Sequence, residues 1–291
     1  MRLYLINKHN QVLDLFNMRS RWVVKAVEGL HGVETEIAES ETPYMDGANL
    51  ESVKALPRGI EVVLKLQGNV KANIDYFTSI VKSKQYVTLR EVDENRDITI
   101  KGIVTIPPYT RMMRSCEITF TVYCGQPYWE DIAYMVETIG EHIGLLHFPV
   151  EGQYFTEYGR PFGVINTELT KSFVNTSDTN VGMVINILAL GTVVNPRISC
   201  STGEQNGWYM KLNVTLKDDD ELKISTVKGD KYITINGLET YNGEPILNYL
   251  EWQGTDWLQL ETGENEFSVS TEKGETDSNV HFSLIYKGRY E

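Results

Sequence analysis

Cysteine is nearly absent from this sequence: Cys116, Cys124 and Cys200 are the only three in 291 residues. Their odd number and the lack of a CxxC spacing indicate neither a disulfide framework nor a zinc site, and all three are expected to be buried thiols. Histidine is little more abundant, at five. His142 and His147 stand five apart, which on a helix turns them to different faces rather than onto one metal ion. No metal, cofactor or catalytic residue is expected.

Positive charge is also in short supply. Lys and Arg number 27 against 40 Asp and Glu, a net charge of −13, and residues 151–291 supply −10 of it with 11 basic against 21 acidic side chains. An acidic surface repels phosphate backbones, which argues against specific nucleic-acid binding. There is no run of about 18 apolar residues, and residues 1–16 lack an unbroken apolar stretch with a small-residue cleavage site. Synthesis and solubility in a cytoplasm are expected, with no membrane insertion.

Chemical signatures are missing as well. Phosphate-cradling GxxxxGK[ST] and GxGxxG turns do not occur, and the glycines fall where hairpins are expected. Neither a GxSxG nucleophile elbow nor a cysteine in a catalytic context is present. The 40 carboxylates offer only unspecific pairs for glycoside hydrolysis. The chain is expected not to be an enzyme.

What is present is a β pattern. With 41% hydrophobic and 23% charged residues, the composition is that of a folded protein, and the length suits two domains. Period-2 alternation predicts strands over residues 21–27, 61–66, 86–91, 97–106 and 116–124. One helix is expected where Ile74, Phe77, Ile80 and Val81 share a face behind Asn73 as cap. Residues 46–57 read as an extended loop or arm of the kind that serves contacts. Residues 132–146 read as either a helix weakened by Gly140 and Gly144 or a strand-like connector between domains.

The second half predicts strands over 181–190, 197–200, 208–214, 221–226, 231–235, 257–260, 267–270 and 281–286, separated by turn signals such as Asn206-Gly207 and Asn236-Gly237, the spacing of a β-sandwich. Asp218 to Glu221 lacks the alternating ligands and glycine of a calcium loop and reads as a hairpin turn. Trp208, Tyr209, Tyr241, Tyr249, Trp252 and Trp257 would serve either as core or as a sugar-stacking platform. Arg111, Met112, Met113 and Arg114 form either a protein contact or a surface turn.

Several of these pieces occur in a familiar order. Glu28-Gly29-Leu30, Asp46-Gly47-Ala48, Arg58-Gly59-Ile60, the helix near residues 74–83, the Gly102 strand, and Ile118 to Cys124 ending in Pro127-Tyr128-Trp129 resemble the distal tail protein (Dit) family of siphophages. The Phe148-Pro149 and Phe162-Gly163 junction, with the closing strand from His281 to Tyr286, resembles the galectin-like sandwich attached in that family.

The resemblance implies a mainly β chain divided as follows: residues 1–131 a ring-forming β-sandwich or barrel-like domain with one helix, 132–165 a linker, and 166–291 a galectin-like β-sandwich. It implies a structural hub of the tail tip in the virion: a homo-hexameric ring joining the tail tube protein to baseplate, tail-associated and receptor-binding proteins, with DNA passing through the lumen unbound. It implies synthesis in the cytoplasm of a bacterial host. The residues alone leave a second reading open, in which the sandwich is a carbohydrate-binding module for a cell-wall glycan.

Overall fold

A computed structural model describes residues 2–16, 21–41, 46–94, 96–109, 116–139, 142–144, 163–165, 170–254, 256–272 and 280–291. The chain is mainly β, as expected, and divides into two compact units: Met1–Ile132 with Arg289–Glu291, and Ala133–Gly288.

Among the described residues the first unit is built on eleven strands and one helix, beginning with β1 (Arg2–Asn7), β2 (Val12–Asp14), β3 (Trp22–Glu28), β4 (Thr35–Ser40), β5 (Asn49–Ala55), β6 (Arg58–Leu66), α1 (Val70–Ile80), β7 (Tyr86–Val92), β8 (Asp97–Thr105), β9 (Cys116–Cys124) and β10 (Trp129–Asp131). The main sheet runs β2-β1-β7-β8-β9-β6-β3, antiparallel at every pairing, and β10 joins β8 to a last strand at Arg289–Tyr290. β6 and β9 show why the pattern was legible, since their residues alternate between buried and accessible along nine positions each.

Helix α1 buries Val70, Asn73, Phe77 and Ile80. Phe77 is fully buried with its ring 5.7 Å from that of Phe120 on β9, so the helix closes one face of the sheet. The cap is Asn69, not the expected Asn73: the Asn69 side chain accepts from the Ala72 amide. Asn73 lies within the helix and donates to the carbonyls of Arg21 and Gln67. The helix starts earlier because Gly68, at φ +69°, turns the chain and lets Val70 enter the core.

The arm expected over 46–57 is a strand. β5 pairs with β4 in an antiparallel two-stranded ribbon, with a register shift between Ala38 and Glu39. β1 and β2 were not expected at all, although β1 alternates strictly between buried and accessible residues.

The second unit packs two five-stranded antiparallel sheets over a common core. One orders Met135–Ile139, Val280–Tyr286, Met183–Ala189, Glu221–Ser225 and Tyr232–Ile235; the other orders Thr170–Asn175, Gly263–Ser270, Arg197–Cys200, Tyr209–Leu212 and Leu250–Gln253. Both contribute to one buried cluster that includes Met183, Ile185, Leu222, Phe267 and Phe282. Of the two conformations open for 132–146, the described part is strand. Met135–Ile139 hydrogen-bonds along Val280–Tyr286 as an edge of the sandwich, so these residues belong to the second unit rather than to a free linker. The strand expected at 257–260 reduces to a single bridge between Val181 and Leu260.

Candidate assembly surface

Three of the motif pieces that lie far apart in sequence meet in the first unit. The Leu30 carbonyl accepts from Nη1 of Arg58 at 2.9 Å and from the indole Nε1 of Trp129 at 3.0 Å. Gly29 sits at φ +73° so close to the Gly59 carbonyl that a Cβ would overlap it. Only glycine satisfies both constraints at once. Trp129 is fully buried and pairs with Tyr290, so the chain's last strand closes the same knot. The Arg58 guanidinium is buried, and desolvation lowers its pKa from the ordinary arginine value. This knot stands at the root of the β4–β5 ribbon, because the ribbon leaves the sheet between β3 and β6.

The ribbon itself is solvent-exposed almost throughout. Ile37 and Val53 stand directly opposite one another at 48% and 64% exposure, and Leu50 is 67% exposed. A cross-strand apolar pair in water is a surface awaiting a partner. Between residues 34 and 55 the sequence carries six acids and a single base, Lys54. The main run of the sheet ends, among the described strands, on two edges, β2 and β3. A bulge between Val24 and Ala26 interrupts the β3 edge, a feature that restrains indiscriminate strand addition.

A cleft of about 430 Å³ opens where the β1–β2 turn, the end of α1 and the start of β7 come together. Lys8, His9, Lys82 and Lys84 line it with Ser79 and Tyr86. Nothing in the sequence signalled it, since these residues come from two stretches far apart, 7–9 and 79–86.

The second unit has a cleft of about 340 Å³ lined by Trp208, Trp257, Gln205, Gln259, Asp256 and Glu261, with further residues at its margin. Its polar groups are turned on one another. Gln205 donates to the Gln259 carbonyl and to Glu261, and the Glu261 carboxylate accepts the amides of Glu204 and Gln205.

The six aromatic residues do not form one platform. The Trp208 indole is covered by the backbone of Gly254, Arg197 lies 4.0 Å over Tyr209, and Lys231 lies 5.4 Å over Trp257. Tyr241 and Tyr249 meet edge to face. Trp252 is 43% exposed.

Asp218 to Glu221 is a turn with Asp219 at φ +67°, but not the expected hairpin: Thr215–Leu216 before it pairs with Val193–Val194, while Glu221–Ser225 after it pairs with Met183–Ala189 and Tyr232–Ile235. Asp220 accepts from the Lys217 amide and from Asn236, which holds its carboxyl below the ordinary value. The three cysteines are buried and free, and burial pushes the Cys124 thiol up to about 11. His147 and residues 111–114 lie outside the described residues; His142 falls on a short strand, His142–Gly144.

Residues 176–290 match the family described as the siphovirus-type tail component, C-terminal domain. Among solved structures the whole chain is similar to the Dit protein of phage SPP1, called a paradigm of the hub adsorption apparatus in phages infecting Gram-positive bacteria: TM-score 0.65, 12% identity, 99% of each chain covered. At that identity the likeness bears on fold. A chain of the phage P2 baseplate in its activated conformation also aligns, at TM-score 0.40 and 13% identity over 98% of each chain, too weakly to carry an argument. No curated protein matches the sequence. The resemblance read from the motif order holds: residues 176–290 match the siphovirus-type tail component C-terminal domain, on a chain with the fold of a distal tail protein.

Proposed function

We propose that this chain is a structural hub of a siphophage tail tip, a virion component whose first unit closes a ring of six copies between the tail tube and the baseplate or adsorption apparatus. The reading is supported above all by the agreement in fold with a hub protein along the entire chain, joined to a tail-component family match over the second unit.

The surface of the first unit suits the task. It offers a projecting ribbon with exposed apolar side chains and two open sheet edges, all of which neighbouring subunits would cover. With a net charge of −13, a lumen lined by such subunits would let DNA pass without holding it. On this reading the chain binds tail proteins and copies of itself, uses no cofactor and catalyses nothing.

The test is mass by light scattering across concentration, with negative-stain imaging of any large species. Six-fold rings are the expected result. A strict monomer at every concentration, including in the presence of tail tube protein, would overturn the reading.

A further inference from the structure

Two features of the first unit carry opposite charge. The β4–β5 ribbon and its margins, residues 34–55, hold Glu34, Glu36, Glu39, Glu41, Asp46 and Glu51 against Lys54, a net −5. The cleft beside β7 holds Lys8, Lys82 and Lys84 with His9. All of these side chains are exposed. Among the described residues, neither the six carboxylates nor the three ammonium groups of the cleft have an ion-pair partner within the chain. A basic concentration of this kind in a protein of −13 overall calls for an acidic occupant.

The register of the sheet shows where the chain's own ribbon starts relative to that cleft. Tyr86 at the cleft pairs with Ile103, Ile103 pairs with Tyr123, and Tyr123 pairs with Gly59 at the root of the ribbon. Cleft and ribbon root thus lie at one height on the sheet, three strand spacings apart, roughly 14 Å. They sit towards opposite edges, the cleft by β1, β2 and β7 and the ribbon between β6 and β3. A donor at one edge and an acceptor at the other, at equal height, is the arrangement of a head-to-tail contact, which closes into a ring when the rotation between copies allows.

We propose that the acidic β4–β5 ribbon of one copy seats in the basic cleft of the next copy, with Lys8, Lys82 and Lys84 facing its carboxylates and the exposed Tyr86, 70% accessible, covering the Ile37–Val53 pair. This rests on the ring reading above and assigns its contact. Charge complementarity sets which edge meets which, and the apolar pair contributes the area removed from water.

The test uses the full chain. The triple variant Lys8→Glu, Lys82→Glu, Lys84→Glu is expected to raise the concentration needed for ring formation by at least ~10-fold. The ribbon variant Glu39→Lys, Glu41→Lys, Glu51→Lys is expected to do the same, and the chain carrying all six changes to regain assembly. Because every substituted residue is exposed, circular dichroism should be unchanged.

As a second readout, a chain bearing Val53→Cys mixed with one bearing Tyr86→Cys should form a disulfide-linked heterodimer on mild oxidation. If wild-type and cleft variant assemble alike and the cross-link does not form, this contact is wrong and the ring reading stands. If the wild type never assembles, both fall.

Discussion

Lys171, Lys211, Lys223 and Lys231 in the second unit each meet a carboxylate of that unit: Glu137, Glu251 with Glu272, Glu221 and Asp256. In the first unit Lys8, Lys82 and Lys84 meet none among the described residues, and neither do the ribbon acids. The cores beneath are alike in kind, each a cluster of aliphatic and aromatic side chains with almost no solvent contact. The difference therefore lies in the surfaces. The first unit also pairs charges of its own, Lys25 with Glu117, Arg90 with Asp97 and Arg289 with Glu130, but a surface that in addition separates acid and base onto two edges is built to find its complement elsewhere.

The largest effects should come from the cores and should stay within one unit. Phe77→Ala removes the ring that anchors α1 to the sheet, and Phe267→Ala removes its counterpart in the sandwich; each should cost about 3–5 kcal/mol. Hydrogen exchange should show protection lost in the substituted unit alone. Loss spreading evenly through both would break the comparison by making the chain one cooperative body.

Next come two tight glycines, one from each unit. Gly29→Ala combines a left-handed backbone with overlap on the Gly59 carbonyl, and is expected to cost roughly 2–5 kcal/mol. Gly182→Ala in the second unit meets Val227 Cα at 2.5 Å without unfavourable φ, and should cost about 1–3 kcal/mol. Urea titration of each variant checks the order.

A smaller contrast concerns acid. Asp220, Glu221, Asp256 and Glu272 of the second unit all have carboxyl pKa values lowered, by backbone or side-chain hydrogen bonds from Lys217, Lys223, Lys231 and Asn195 respectively. Their contributions are present above the unfolded values near pH ~4 and are lost as pH falls through the lower folded values. In the first unit Asp97 and Glu117 behave likewise, but burial raises Glu91, so its cost is relieved as pH falls. Limited pepsin digestion between pH 5 and 3 should therefore cut the second unit first.

The smallest effect on the isolated chain belongs to the ribbon. Ile37→Ser with Val53→Ser should change monomer stability by no more than ~0.5 kcal/mol, measured by thermal unfolding at a concentration too low for assembly. A large loss would mean that the pair is buried within its own copy.

Strands such as β6 and β9 were legible because alternation is written into neighbouring residues. The helix was legible for the same reason, though its start was misplaced: Asn73 is a capping residue type whose side chain is in fact taken by the carbonyls of Arg21 and Gln67. The 135–139 segment could not be read because its fate depends on pairing with Val280–Tyr286, about 145 positions away. The aromatic set stayed ambiguous for a similar cause, since what covers Trp208 is the backbone of Gly254.

By itself the sequence determined that the chain is acidic, mainly β and long enough for two cores, and the order of its motifs pointed to the distal tail proteins. Only the tertiary structure decided that Gly29, Leu30, Arg58 and Trp129 form one knot, that residues 49–55 pair into a ribbon, and that Lys8, Lys82 and Lys84 share a cleft. Local periodicity records which face of a strand is dry; which strands become neighbours, and so which charges meet, is fixed by hydrogen-bond partners distant in the chain.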